Sequence, residues 1–257
     1  MLTIDPSKIQ TVDDRRDAAI PGNNEATIRF AVEHWIKTAK TAINERSRFA
    51  VALSGGSTPN AIYEMLSSET YAKQLDWSKV YLFWSDERSV PPEHPNSNFY
   101  AAMTHGLAHL PIPKNQIFRM EAEKEIERAA QEYEALIRKT LGLRLFDLVM
   151  LGVGEDGHTA SLFPDTSALK PTDRLVVANH VLEKKTWRMT LTIESINQSE
   201  RAVFYALGSA KQTIVGNVLQ SERSSPWPAS QIGTIERKAL WIIDESAAAL
   251  LLHSKLF

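Results

Sequence analysis

Arg48-Phe49-Ala50-Val51-Ala52-Leu53-Ser54-Gly55-Gly56-Ser57-Thr58-Pro59 is the stretch on which the fold turns. Six residues of mainly apolar character run straight into a glycine-rich, hydroxylated turn. Pro59 then opens a helix over residues 61–66, a favoured place for proline because its fixed φ suits the first turn. The stretch reads as strand, turn, helix. Upstream, residues 24–45 place Ile28, Ala31, Val32, Trp35, Ile36, Ala39 and Ile43 at helical spacing, which marks one buried face. Downstream the unit recurs: apolar runs at 80–84, 146–151, 202–207 and 239–244 alternate with helical patterns at 123–141, 211–219 and 247–252. Strands apolar on both faces must be covered on both faces. The fold class is therefore α/β: one open, mostly parallel, Rossmann-like sheet with helices on both faces. The richest loop, 221–228, lies inside the alternation and reads as a site-flanking loop, so residues 1–257 are taken as one domain.

Composition narrows the function. The chain has 257 residues, 43% hydrophobic and 23% charged, enough apolar material for a large core. A formal net charge of -2 leaves no global field for a polyanion, which argues against a nucleic-acid partner. Any phosphate must be gripped locally, by a loop and placed cations. The absence of cysteine excludes disulfides, thiolate metal sites and a cysteine nucleophile, and fits a reducing compartment. Met1-Leu2-Thr3-Ile4-Asp5-Pro6 lacks the basic flank and apolar core of a signal peptide. No apolar run approaches the roughly 18 residues that span a membrane. A cytoplasmic protein without a membrane partner is expected.

In open α/β sheets ligands sit at the carboxyl ends of the strands, and each polar cluster here directly follows a strand. Ser54, Gly55, Gly56, Ser57 and Thr58 offer unshielded backbone N–H groups, hydroxyls and a helix N-terminus, the parts of a phosphate site. The Gly-Lys-Ser/Thr ending of a Walker loop is missing; the competing reading is a tight turn with a capped helix. Asp86-Glu87-Arg88, with His94, Ser97 and Asn98 downstream, gathers acid, base and amide groups in one loop, either against a ligand or as a solvated turn. Gly152-Val153-Gly154-Glu155-Asp156-Gly157 matches the dinucleotide pattern G-x-G-x-x-G, yet Glu155 and Asp156 would repel a pyrophosphate, and no acidic residue ends a strand about 20 residues later to hold a ribose. His158 follows, two residues after Asp156. An imidazole oriented by a carboxylate is a general base; the competing reading is a structural histidine. No metal site is expected, and no G-x-S-x-G elbow suggests a serine nucleophile. What remains is histidine-driven activation of water or of a substrate proton.

Three long stretches together resemble 6-phosphogluconolactonases: Ala52 to Pro59, Trp84-Ser85-Asp86-Glu87-Arg88-Ser89-Val90-Pro91, and Gly152 through Gly157-His158-Thr159-Ala160-Ser161-Leu162-Phe163-Pro164. The likeness extends to His94-Pro95-Asn96-Ser97-Asn98, Pro228-Ala229-Ser230 and Trp241 to Ala248, covering nearly the whole chain in order. The related glucosamine-6-phosphate deaminases share the first and third blocks, but typically carry a glutamate after the histidine where this chain has Thr159-Ala160-Ser161. They also usually have an aromatic residue where Arg88 stands. The resemblance implies hydrolysis of 6-phospho-D-glucono-1,5-lactone to 6-phospho-D-gluconate, in the pentose phosphate pathway, with no cofactor or metal and with a small sugar phosphate lactone as the partner. It adds Arg188 and Lys211 as cationic phosphate ligands beside the Ser54–Thr58 turn; the lead into Arg188, Lys184-Lys185-Thr186-Trp187, departs from the family's Pro-rich one. His158 would act as base, Asp156 as its orienter, Arg88 on the oxyanion and Asp86 on sugar hydroxyls. The chain is expected to act as a monomer, or at most a weak dimer. A deaminase/isomerase and a non-catalytic sugar-phosphate sensor are the alternatives; for a sensor, residues 1–23 are too short and too mixed in charge to form a DNA-binding helix-turn-helix.

Overall fold

A computed structural model describes residues 8–170 and 172–252; the Met1–Pro6 stretch read for a signal peptide lies outside the described residues. In chain order the strands are β1 (Ile9–Thr11), β2 (Arg16–Ala19), β3 (Phe49–Leu53), β4 (Val80–Trp84), β5 (Asp86–Arg88), β6 (Leu148–Leu151), β7 (Val176–Val181), β8 (Thr186–Leu191), β9 (Ala202–Ala206) and β10 (Ala239–Ile243). The α-helices are α1 (Asn24–Arg46), α2 (Ser57–Leu66), α3 (Glu69–Ala72), α4 (Asn98–Thr104), α5 (Ile126–Leu141), α6 (Ile193–Asn197), α7 (Gln212–Leu219) and α8 (Glu245–Leu252). Seven strands form an open sheet in the order β1-β2-β10-β9-β6-β3-β4. Every neighbouring pair from β2 to β4 is parallel, and only β1 runs antiparallel, at the edge. The mostly parallel α/β sheet expected from the apolar runs is the sheet observed.

The core explains why those runs were visible. All five residues of β3, β9 and β10 and all four of β6 are buried. Burying each large apolar side chain contributes on the order of 1.5–3 kcal/mol. Trp35 of α1 meets Phe49 edge-on at 4.9 Å, and Phe204 stacks on Trp241 at 3.9 Å. Asp147 fixes the β3–β6 register: its N–H donates to the Ala50 carbonyl and its carboxylate accepts from the Ala50 N–H, both at 2.8 Å.

Two local expectations are corrected. Helix α2 begins at Ser57, so Pro59 stands at its third position rather than opening it. Proline fits there because the first helical N–H groups have no intrahelical acceptor. Asp86-Glu87-Arg88 is a strand, not a loop: β5 pairs antiparallel with β8, and β8 with β7, in a second, three-stranded sheet. Three polar residues carry no apolar alternation, so their partner strand, far away in the sequence, is what makes them β.

Topology then locates the site. From β3 the chain steps outward to β4 and later returns to β6 on the other side of β3. Such a reversal leaves a crevice at the carboxyl ends of the diverging strands.

Candidate active site

The carboxyl ends of β3, β6 and β9, adjacent in the sheet, surround a cavity of about 230 Å³. Its lining includes the whole Ser54–Thr58 turn, Asp86, Arg88, Asn98, His158 and Lys211. A larger apolar groove of about 700 Å³ lies between Phe99 and Leu136, away from the strand ends and without a histidine.

The turn between β3 and α2 presents donors. Gly56 precedes α2 at φ 115°, a backbone conformation that favours glycine. Unlike α1, α4 and α5, whose first-turn amides are capped by Asn23, Ser97 and Glu125, α2 has no side-chain cap and no acidic residue in its first turn. Its free N–H groups therefore open onto the cavity, the arrangement that suits an anion. The buried Tyr63 hydroxyl pins the turn from behind, accepting from the Ser54 N–H at 3.2 Å and donating to the Ser54 carbonyl at 2.7 Å; burial pushes this phenol well above its ordinary range. Gly55 is required by contact: a Cβ there would stand 1.8 Å from Asn98 Oδ1. Asn98 is held in turn by donating to the Asp86 carbonyl at 2.9 Å and to Asp86 Oδ1 at 3.1 Å.

The loop after β6 presents His158. No helix follows Gly157, so the G-x-G-x-x-G run lacks the helix N-terminus that a pyrophosphate site requires. Asp156 Oδ1 bonds His158 Nδ1 and accepts the His158 backbone N–H at 3.2 Å. That pairing puts the ring proton on Nδ1 and leaves the Nε2 lone pair as the acceptor. Burial raises the Asp156 carboxyl, but hydrogen bonding and charge from His158 outweigh it and hold it below the usual carboxylate range. Phe163 stacks on the imidazole at 4.1 Å and 20°. Gly154 makes room: a Cβ there would stand 2.1 Å from the imidazole and 2.6 Å from Asp156 Oδ1.

The small sheet grips this loop through Ser161. The Ser161 N–H donates to Thr190 Oγ1 of β8 at 3.2 Å, and its hydroxyl donates to Asp86 Oδ2 of β5 at 2.6 Å. Asn179 of β7 donates to the Ser161 carbonyl at 2.8 Å. All three strands take part. Glu87 points elsewhere: it accepts from the backbone N–H groups of Asn98 and Phe99 at the start of α4, from the Arg88 N–H and from the Ser97 hydroxyl. Burial still pushes its carboxyl up despite these donors.

The cations divide. Lys211 Nζ donates to the Val153 carbonyl at 2.8 Å and lines the cavity, as does Arg88, which donates to the Asn96 carbonyl at 2.6 Å. Arg188 stands directly opposite Arg88 in the β5–β8 ladder, half-buried and not in the cavity wall. Burial lowers its guanidinium first, and the Arg88 charge lowers it further, against the pull of Asp86 and Glu87. Thus the Ser54–Thr58 turn, Asp86, Arg88, His158 and Lys211 share one cavity, Asp156 backs His158, and Arg188 sits one strand behind Arg88. His94 stays outside the cavity, bound to the Asn96 N–H. Sequence reasoning gave no part to Asn179, Thr190 or the Phe163 stack; only the letters Ser161 and Phe163 within the third block hinted at them.

Residues 22–241 match the family described as glucosamine-6-phosphate isomerases/6-phosphogluconolactonase, and the chain belongs to it. Among its relatives, the 6-phosphogluconolactonase of Chlamydia muridarum is 40% identical over 91% of this chain and 90% of its own. The crystal structure of 6-phosphogluconolactonase from Thermotoga maritima superposes with a TM-score of 0.75 at 28% identity, covering 88% of this chain and 98% of that one. A monomeric glucosamine-6-phosphate deaminase, 22% identical over 91% of this chain and 99% of its own with a TM-score of 0.77, shares the fold.

Proposed function

We propose that this chain hydrolyses 6-phospho-D-glucono-1,5-lactone to 6-phospho-D-gluconate in the pentose phosphate pathway. The observation that carries this reading is that His158, paired with Asp156, lines the same cavity as an uncapped helix N-terminus and Lys211. A base and a phosphate grip at a fixed separation suit a substrate that carries both an ester carbonyl and a phosphate.

The 6-phosphate accepts from the Ser54–Thr58 turn and from Lys211, with Arg188 adding charge from behind Arg88; charge-assisted hydrogen bonds are the strong kind. His158 Nε2 takes a proton from water as the water oxygen bonds to C1. Asp156 stabilises the resulting imidazolium, and Arg88 the oxyanion. As the tetrahedral carbon collapses, the C1–ring-oxygen bond breaks and the imidazolium returns its proton to that oxygen. Asp86 lines the cavity with both oxygens already engaged by Asn98 and Ser161, and its remaining lone pairs serve a sugar hydroxyl. A lactone is already activated, so a general base worth roughly 10²–10⁴-fold plus positioning is sufficient. No helix among the described residues is long and apolar enough to cross a membrane, and the lack of cysteine supports work in the reducing cytoplasm.

The test is acid release from freshly generated lactone, measured against the spontaneous background for wild type and His158→Ala. Release by wild type that is lost in the variant supports the reading. No acceleration by wild type, with ammonia released from glucosamine 6-phosphate, replaces it with the deaminase.

A further inference from the structure

The turn after β3 and the loop that carries His158 belong to different elements, yet a short run of side chains joins them. It starts at Asn98, the first residue of α4, which is 1% exposed. Two consecutive residues of β5 fix it. Glu87 accepts the Asn98 backbone N–H at 2.8 Å. Asp86 accepts the side-chain amide twice, through its carbonyl at 2.9 Å and through Oδ1 at 3.1 Å. So anchored, Asn98 Oδ1 rests against Gly55 in the turn, where a Cβ would stand 1.8 Å from it. That oxygen has no hydrogen-bond partner. A buried carbonyl left unpaired needs a reason, and the contact supplies one: the oxygen is a stop for the backbone of the turn.

The run continues on the other side of the same carboxylate. Asp86 Oδ2 accepts the Ser161 hydroxyl at 2.6 Å, and both residues are buried. Ser161 is three residues from His158, and the chain between them is closed on itself. Thr159 is fully buried, and its hydroxyl donates to the Gly152 carbonyl at 2.8 Å. Its own carbonyl accepts the Leu162 N–H at 2.9 Å. Inside that turn Ala160 stands at φ 48°, a left-handed conformation that alanine keeps only where its surroundings impose it. A shift at Ser161 is therefore passed on to His158.

We propose, on the basis of the lactone-hydrolysis reading above, that Asn98, Asp86 and Ser161 form a strut that fixes the distance between the phosphate turn and His158. Through it the enzyme selects lactones by the span between phosphate and carbonyl. Asn98 and Ser161 are positioning residues: one acts through Gly55, the other through the His158 loop. Binding of a remote group raises the rate only when it delivers the reacting carbon to the catalytic group. A lactone without a phosphate is not anchored at the turn, so the strut does nothing for it.

The test compares kcat and KM for 6-phospho-D-glucono-1,5-lactone with those for D-glucono-1,5-lactone, each corrected for spontaneous hydrolysis. It uses wild type, Asn98→Ala, Ser161→Ala and the double variant. Ser161→Ala removes one hydroxyl and keeps the backbone bonds of residue 161 to Thr190 and Asn179, so it decides the matter even where Asn98→Ala fails to fold. Each single variant should lose about ten-fold of the preference for the phosphorylated lactone, through kcat, as a misplaced reacting group does. KM for that lactone should hold, because Tyr63 still pins the turn. The double variant should lose about the same ten-fold, because a strut cut once no longer bears, whereas independent sites would add to about a hundred-fold. Where wild-type action on D-glucono-1,5-lactone does not rise above background, this cycle on the phosphorylated lactone decides. Equal losses on both lactones, or additive losses in the double variant, overturn the strut. A wild type that accelerates neither lactone overturns the lactonase reading instead.

Discussion

The Ser54–Thr58 turn and the His158 loop line one cavity, and they are built in opposite ways. The turn is nearly self-sufficient: β3 leads in, α2 leads out, and Tyr63 of that same helix pins it through two hydrogen bonds to Ser54. The loop depends on distant chain, because Ser161 is gripped by Asp86, Asn179 and Thr190 from three strands of another sheet. On the proposed roles, grip on the substrate is thus written locally, while the placement of the base is a tertiary achievement. The two should fail differently.

The largest effect is expected from His158→Ala, with kcat lower by roughly 10²–10⁴-fold and calorimetric binding of 6-phosphogluconate retained. Retained binding keeps grip and chemistry separate; its loss would merge them. Next come two glycines. Gly154→Ala drives a methyl into the imidazole and should cost roughly 10²-fold in kcat, as misplacement of a reacting group does. Gly55→Ala drives one into Asn98 instead and should appear mainly as a raised KM. Steady-state kinetics on the pair decide whether the division holds, and equal losses in both parameters for both variants would break it.

A smaller effect belongs to Asn179→Ala. It leaves the Ser161 carbonyl without its 2.8 Å donor, and an unsatisfied buried group costs about 1–3 kcal/mol. Denaturant melts should show that loss, and kcat should fall about ten-fold with KM unchanged, as a slight misplacement of His158 would cause. A change in KM alone would mean that the small sheet serves the grip. The smallest effect on the active site is expected from His34, which lies buried outside that cavity. Its imidazole is held at about 3 in the folded chain, against an ordinary 6.5. The unfolded chain therefore binds the extra proton between those values, and stability falls as pH drops from 6.5 towards 3. His34→Leu should flatten that slope by up to one proton, read from melts across the range, and leave kcat and KM alone at neutral pH.

The same division explains what the sequence disclosed. Strands β3, β6, β9 and β10 are buried on both faces and read as apolar runs, and the turn after β3 declares itself by its glycines and hydroxyls. The pairing of Asp156 with His158 was legible because it spans two residues and closes on itself. The small sheet was not legible. Asp86-Glu87-Arg88 has no apolar alternation, and its β character comes from a ladder with Thr190, Met189 and Arg188 far along the chain. For the same reason nothing in the letters places Arg188 opposite Arg88; only the resemblance suggested that Arg188 belongs near the site. β2, Arg-Asp-Ala-Ala, is equally unremarkable until it lies beside β10.

One consequence of the β5-β8-β7 ladder reaches beyond this chain. It is a separate sheet from the seven-stranded one, yet it carries Asp86, Arg88 and Arg188 and holds the loop that bears His158. On the proposed roles, the architecture thus resembles a tool with an interchangeable head: the handle holds a sugar phosphate, and three short strands set what is done to it. Shared scaffolds with different chemistries, as in a lactonase and a deaminase of one fold, are what such a division of labour makes easy to reach by small steps.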